Sequence, residues 1–178
     1  MNKPLLDVKL RLPTGKDGPA VFQLINHCPP LDTNSLYCNL LQCTHFADTS
    51  VVATLKDELV GFISGYLIPG QTNTLFIWQV AVANEARGQG LGTRMLKNIL
   101  SRPQCDQVVC LETTITESNR ASWALFEGLA EKLDARINTS VLFDRNQHFA
   151  GRHESEILVR IGPFNLSSSR VANNHEER

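Results

Sequence analysis

The chain has 178 residues, of which 42% are hydrophobic and 20% are charged, as in ordinary globular proteins. The formal net charge of -1 argues against bulk electrostatic binding to nucleic acid, because such binding needs a basic surface. No apolar run reaches the roughly 20 residues that span a bilayer, and residues 1–7 lack the pattern of a secretory signal. We therefore expect neither nucleic acid nor a membrane as a partner.

One domain is predicted between two flexible ends. Residues 1–7 and 165–178 lack apolar periodicity, which places the domain at residues 8–164. The five cysteines show no CxxC pair and no metal-ligand spacing. We expect reduced thiols in a cytoplasmic protein without a metal.

Hydrophobic periodicity predicts alternating strands and helices along the domain. A first helix follows Asp17, with an apolar face of Val21, Leu24, Ile25 and Cys28, and a second helix ends near His45. The helix at 119–133 has the apolar spacing Ala121, Leu125, Leu129 and Leu133. The predicted strands are 8–12, 50–56, 59–67, 74–82, 107–114, 137–143 and 154–161. This order predicts an α/β fold with a mixed, mostly antiparallel sheet and helices on both of its faces.

A glycine-rich loop lies between the strand at 74–82 and a helix that begins near Leu91. Gly88, Gly90 and Gly92 leave backbone N–H groups accessible, and a helix N-terminus adds partial positive charge. Arg87 and Arg94 add full charges. These features predict a site for a phosphate or pyrophosphate.

Other phosphate-binding loops fit this segment less well. A Walker loop ends in Gly-Lys-Ser/Thr, and a dinucleotide fingerprint reads Gly-x-Gly-x-x-Gly after the first strand, whereas this loop reads Gly-x-Gly-x-Gly after the fourth strand. A glycine-rich turn that binds no ligand remains the alternative.

The segment 78–92 closely resembles the signature of the GNAT superfamily of N-acetyltransferases: a strand ending in Val-Ala-Val, a short link, and a glycine-rich loop that opens a helix. The strand order from Val8 to Ile161 also matches. The resemblance implies the acyl-CoA N-acyltransferase fold and acetyl-CoA as co-substrate. It further implies that the pantetheine arm lies along Val80 and Val82. The implied contacts to the rest of acetyl-CoA are Arg87, Gly88, Gln89, Gly90, Gly92, Thr93 and Asn119.

One position departs from the superfamily pattern. Many members carry a tyrosine in the helix after Asn119, where it protonates the departing thiolate, and Phe126 occupies the matching place here. The proton must then come from water, from the reaction intermediate, or from another residue such as Tyr37. A domain that binds acetyl-CoA as a sensor without catalysis is the alternative of another class.

Two further segments, 29–37 and 148–154, are similar to those of the L-2,4-diaminobutyric acid acetyltransferases, which make the precursor of the osmolyte ectoine. The resemblance implies transfer of acetyl to the 4-amino group of the diamino acid, as part of the response to osmotic stress. We expect four residues to bind this substrate: Asp32, Trp78, His153 and Glu156. An acetyltransferase for another small amine is the closest alternative.

The reaction needs a neutral amine, although an alkyl amine with a pKa near ~10 is almost fully protonated at pH 7. A carboxylate or histidine must therefore remove a proton. Glu112, on the strand beside the cofactor strand, is the predicted base. Many relatives pair through their last strands, so a homodimer is expected.

Overall fold

A computed structural model describes residues 7–166 of the chain. The predicted flexible ends, 1–7 and 165–178, fall almost entirely outside this range. The strands are β1 (Lys9–Arg11), β2 (Val51–Leu55), β3 (Glu58–Ile68), β4 (Gln71–Val82), β5 (Cys110–Ile115), β6 (Ile137–Phe143) and β7 (Glu156–Ile161). The helices are α1 (Gly18–Asn26), α2 (Leu36–Thr44), α3 (Leu91–Leu100) and α4 (Arg120–Lys132). Each predicted strand and helix is present, with ends shifted by a few residues.

The strand order over the described residues is β1-β2-β3-β4-β5-β7-β6. The pair β4–β5 is parallel, whereas β1–β2, β2–β3, β5–β7 and β6–β7 are antiparallel. The prediction of a mixed, mostly antiparallel sheet is therefore confirmed. The described residues form two compact units. One consists of residues 7–66 and Trp78–Cys105, and the other of Leu67–Ile77 and residues 106–166.

The first unit has an apolar core between its early helices and its strands. The predicted apolar face is confirmed, since Val21, Leu24 and Ile25 of α1 and Cys28, just after the helix ends, are all buried. They form one cluster with residues of α2, β2, β3 and β4, namely Cys43, Val52, Phe62 and Ala81. Asp17 precedes α1 as predicted, but its carboxylate accepts hydrogen bonds from Arg11 and from the Thr14 N–H and does not cap α1.

The buried face of α4 in the second unit differs from the apolar face predicted by spacing. Of the four residues predicted to share that face, only Leu129 is fully buried, and Ala121 is exposed. The buried residues of α4 are Phe126, Leu129 and Ala130. A strict spacing of four drifts around a helix that turns every 3.6 residues, so the i, i+3, i+4 stripe describes the packed face better.

Candidate functional site

The glycine-rich loop has a backbone conformation that favours glycine. Gly90 has φ +69° and ψ 15° immediately before the first residue of α3, and Gly88 has φ +75°. A Cβ added to either residue would meet no atom within 4 Å. The left-handed backbone, and not a lack of space, therefore accounts for glycine at both positions.

The loop delivers the chain to the N-terminus of α3. The first intrahelical bond runs from the Arg94 N–H to the Gly90 carbonyl, at 3.0 Å. The earlier amides, those of Leu91, Gly92 and Thr93, lie in the first turn, where N–H groups lack intrahelical acceptors. Amides in this position, at the positive end of the helix dipole, are suited to a phosphate or pyrophosphate.

Two arginines tie this loop and α3 to the backbone at the end of β4 and just before β1. The Arg87 Nε donates to the Val82 carbonyl at 2.9 Å, and an Arg94 Nη donates to the Val8 carbonyl at 3.2 Å. Val80 and Val82 are both half-buried and alternate along β4 with a buried residue, so they share one face of the strand. The residues predicted for the acetyl-CoA site in this unit therefore form one continuous stretch of strand, loop and helix start.

Asp32 lies in the loop between α1 and α2, where its backbone is held by a residue that the sequence did not single out. Gln79 of β4 donates from Nε2 to the Asp32 carbonyl at 3.0 Å and accepts from the Asn34 Nδ2 at 2.9 Å. Asp32 is exposed, whereas Gln79 is buried. Local sequence patterns do not reveal these contacts, because Gln79 is 45 and 47 residues away from its two partners.

Tyr37 occupies the first turn of α2 and is 70% exposed. The Ser35 hydroxyl caps this helix by accepting from the Cys38 N–H at 3.1 Å. The structure therefore gives Tyr37 a defined backbone position.

Trp78 belongs to a cluster of three aromatic rings. Its ring centroid lies 6.5 Å from that of Phe46 and 6.4 Å from that of Tyr66, both in edge-to-face geometry, and Phe46 and Tyr66 are 6.0 Å apart. Trp78 is 44% exposed, so it is not a core tryptophan. Local sequence patterns do not group Phe46 and Tyr66 with Trp78, because the three rings come from separate elements.

Glu112 lies in the second unit and is paired with an arginine. It stands directly opposite Arg160 in the β5–β7 register, and Arg160 donates to its carboxylate. The partnership raises the pKa of Arg160 above its usual value, mainly through this hydrogen bond. The role of Glu112 as the base stays a prediction.

His153 lies just before β7, close to Glu156, the first residue of that strand. The His153 Nδ1 lies 4.0 Å from a Glu156 carboxylate oxygen and 2.7 Å from the Glu154 carbonyl. Because a carbonyl only accepts, Nδ1 must carry a proton. The His153 ring also packs against the Phe149 ring in a tilted arrangement, with centroids 4.8 Å apart and an interplanar angle of 45°. These contacts fix the orientation of the imidazole.

Glu154 fixes the segment on the other side of His153. Its carboxylate accepts from the Ser118 hydroxyl at 2.7 Å, and this hydrogen bond holds the pKa of Glu154 below its usual range. Ser118 lies in the turn just before α4. The predicted anchor segment is therefore joined to that turn.

Asn119 caps α4, because its side-chain oxygen accepts from the Ser122 N–H at 3.2 Å. This is a structural role, and its predicted contact with acetyl-CoA stays a prediction. Phe126, at the position where the superfamily often has tyrosine, is 2% exposed and carries no ionisable group.

The thiols near the predicted site are poor nucleophiles. Burial raises the pKa of Cys43 to about 12 and also raises the pKa of Cys38. Since the thiolate is the reactive form, both stay as thiols at neutral pH. Within residues 7–166, no group of three or more His, Cys, Asp and Glu residues could hold a metal ion. No helix in this range is long and apolar enough to cross a membrane.

The family model of the acetyltransferase (GNAT) family matches residues 19–130. The chain is 59% identical over 157 residues to the L-2,4-diaminobutyric acid acetyltransferase of Methylotuvimicrobium alcaliphilum, covering 88% of this chain and 91% of that protein. It is 48% identical over 161 residues to the protein of the same name from Vibrio cholerae, covering 90% and 93%.

A similar solved structure is that of the diaminobutyrate acetyltransferase of Paenibacillus lautus, in complex with L-2,4-diaminobutyric acid and coenzyme A. It superposes with a TM-score of 0.86 at 39% identity and covers 90% of this chain and 97% of that chain. The predicted fold class is confirmed by this match. The chain belongs to the acetyltransferase (GNAT) family.

Proposed function

We propose that the protein transfers the acetyl group of acetyl-CoA to the 4-amino group of L-2,4-diaminobutyrate. The observation that carries the proposal is the 59% identity to a diaminobutyrate acetyltransferase across 88% of the chain. The loop before α3 supports the acetyl donor, since it presents helix N-terminal amides beside two arginines.

Acetyl-CoA is the co-substrate, and the loop fits its pyrophosphate. The residues that would hold the pyrophosphate are Arg87, Gly88, Gln89, Gly90, Gly92 and Thr93, and those that would line the pantetheine arm are Val80 and Val82. Asn119 is a further proposed contact. When bound, acetyl-CoA supplies the thioester carbonyl that the amine attacks.

The acceptor carries two ammonium groups and one carboxylate at neutral pH, so it needs anionic and polar anchors. Asp32, His153 and Glu156 are the proposed anchors. Trp78 is proposed to cover the methylene chain or an ammonium group, because its ring is partly exposed and is held in place by Phe46 and Tyr66.

Proton transfer is assigned to Glu112 and Tyr37. Glu112 would accept the proton that the ammonium must lose before attack, and the pair with Arg160 is not needed for this step. Tyr37 is the proposed proton donor to the departing thiolate, since Phe126 has no proton to give. Direct transfer without an acyl-enzyme agrees with the raised thiol pKa values of Cys38 and Cys43.

A set of amines tests the substrate assignment. Release of coenzyme A thiol would be measured with L-2,4-diaminobutyrate, with 1,3-diaminopropane, which lacks the carboxylate, and with 2-aminobutyrate, which lacks the 4-amino group. We expect turnover of the diamino acid to exceed that of 1,3-diaminopropane by at least about 100-fold, because an unpaired polar site strongly rejects such analogues. Comparable rates with the two diamines would replace this proposal by a general amine acetyltransferase.

A homodimer is proposed through β6. This strand ends the strand order of the described residues, and three of its large apolar side chains are exposed: Val141 (58%), Leu142 (39%) and Phe143 (43%). An apolar edge strand invites pairing with another chain. Val141→Lys should convert the dimer to a monomer in light scattering, and a wild-type monomer at micromolar concentration would refute the proposal.

The cytoplasm is the proposed location, and synthesis of ectoine under osmotic stress the proposed context. Cys28, Cys38, Cys43 and Cys110 are thiols without disulfides, as suits a reducing compartment. The context follows from the resemblance to the diaminobutyrate acetyltransferases. Deleting the gene in its host should abolish ectoine accumulation at high salt.

A further inference from the structure

Gln79 is a buried amide at a position where the strand otherwise buries apolar side chains. Gln79 is 7% exposed, and its neighbours on the same face of β4, Ile77 and Ala81, are 1% and 0% exposed. Burying an amide costs free energy unless its polar atoms find partners. The partners of Gln79 therefore indicate why this position carries a glutamine.

Both ends of the Gln79 amide bind the loop between α1 and α2. Nε2 donates to the Asp32 carbonyl at 3.0 Å, and Oε1 accepts from the Asn34 Nδ2 at 2.9 Å. The Asp32 carbonyl can only accept, which fixes the orientation of the Gln79 amide. One side chain thus holds the loop on both sides of Thr33.

The residues that follow this loop depend on its position. Ser35 caps α2 directly after Asn34, and Tyr37 lies in the first turn of that helix. Trp78 is adjacent to Gln79 in β4 but points to the opposite face, because side chains alternate along a strand. Gln79 therefore couples β4, which carries Trp78, to the segment that carries Asp32 and Tyr37.

We propose that Gln79 is a positioning residue for the acceptor side of the reaction: it holds the Asp32 loop in register with β4 and does not itself contact substrate. This inference rests on the proposed function. Gln79 acts through Asp32 and Tyr37, so its loss should affect use of the acceptor amine and not binding of acetyl-CoA.

A pair of identical substitutions tests the inference. Gln79→Met removes the amide that holds the loop, and Gln42→Met removes a buried amide whose hydrogen bond stays within α2, at Asn39. For Gln79→Met we expect the KM for L-2,4-diaminobutyrate to rise about tenfold, with the KM for acetyl-CoA changed less than about twofold. Gln42→Met should leave both KM values near wild type, even if its Tm falls as much as that of Gln79→Met.

Hydrogen exchange provides a readout that needs no turnover. The amides of residues 31–36 should exchange faster in Gln79→Met than in Gln42→Met. Asn34→Ala removes one of the two hydrogen bonds of Gln79, at a half-buried loop residue. It should also raise the KM for the diamino acid and speed amide exchange, but by less. This variant replaces Gln79→Met if Gln79→Met does not fold.

Unchanged exchange and KM in Gln79→Met, or equal changes in the two methionine variants, would overturn the positioning role. If the wild type fails to acetylate the diamino acid, the proposed function is wrong, whereas the exchange comparison still decides whether Gln79 holds the loop.

Discussion

The loop at residues 87–93 and the loop at residues 28–35 lie in the same compact unit, yet they are built in different ways. The first is organised by backbone: Gly88 and Gly90 adopt positive φ and lead to the N-terminal amides of α3. The second is held by a side chain from a distant strand, Gln79. The conformation of the first loop therefore depends on its own local sequence, whereas that of the second loop depends on the fold around it.

The largest expected effect tests the acceptor chemistry. Glu112→Gln should lower kcat by about 100-fold with little change in either KM, because a proton acceptor acts in the chemical step. Steady-state kinetics with both substrates varied gives the answer.

The matched control is Arg160→Gln, which breaks the same ion pair but keeps the carboxylate. It should retain kcat within a few-fold. Equal losses of kcat in the two variants would make Glu112 half of a structural pair.

The next largest effect concerns the backbone-built loop. Gly90→Ala should raise the KM for acetyl-CoA by about tenfold, since alanine in the left-handed region costs roughly 1–2 kcal/mol and the loop must shift to relieve it. Kinetics at saturating diamino acid would measure it.

Gly70→Ala serves as the control, because Gly70 has φ +78° in the exposed turn between β3 and β4. It should lower the free energy of unfolding by a similar amount while leaving the KM for acetyl-CoA unchanged. A raised KM in both variants would show that strain alone, and not the loop, accounts for the effect.

The contrast between the loops also explains how far sequence could predict this molecule. The order of strands and helices and the buried face of α1 followed from hydrophobic periodicity, and the loop at Gly88 and Gly90 followed from local spacing. The predicted apolar face of α4 was wrong because a four-residue spacing drifts around the helix. The Phe46–Tyr66–Trp78 cluster and the Gln79 contacts were missed because each joins residues that are far apart in sequence.

The smallest expected effect tests the side-chain-held loop. Asp32→Asn should raise the KM for the diamino acid by several-fold to about tenfold. A charge-assisted contact with an ammonium is worth about 1.5–3 kcal/mol, and only part of it is lost because asparagine keeps an acceptor oxygen. The KM for acetyl-CoA should not change.

Asp57→Asn, in the exposed turn between β2 and β3, removes the same charge elsewhere in the unit. It should behave as wild type in both KM values. If Asp32→Asn impairs both substrates equally, then Asp32 supports the structure and does not bind the acceptor.

The central claim is that acetyl moves from acetyl-CoA to one particular nitrogen of L-2,4-diaminobutyrate. The most direct measurement is NMR of the product formed by the wild-type protein from acetyl-CoA labelled with ¹³C in the acetyl group. The account predicts a single amide at the 4-nitrogen, with the 2-amino group unmodified. Acetyl on the 2-nitrogen, or labelled acetate in place of an amide, would contradict it.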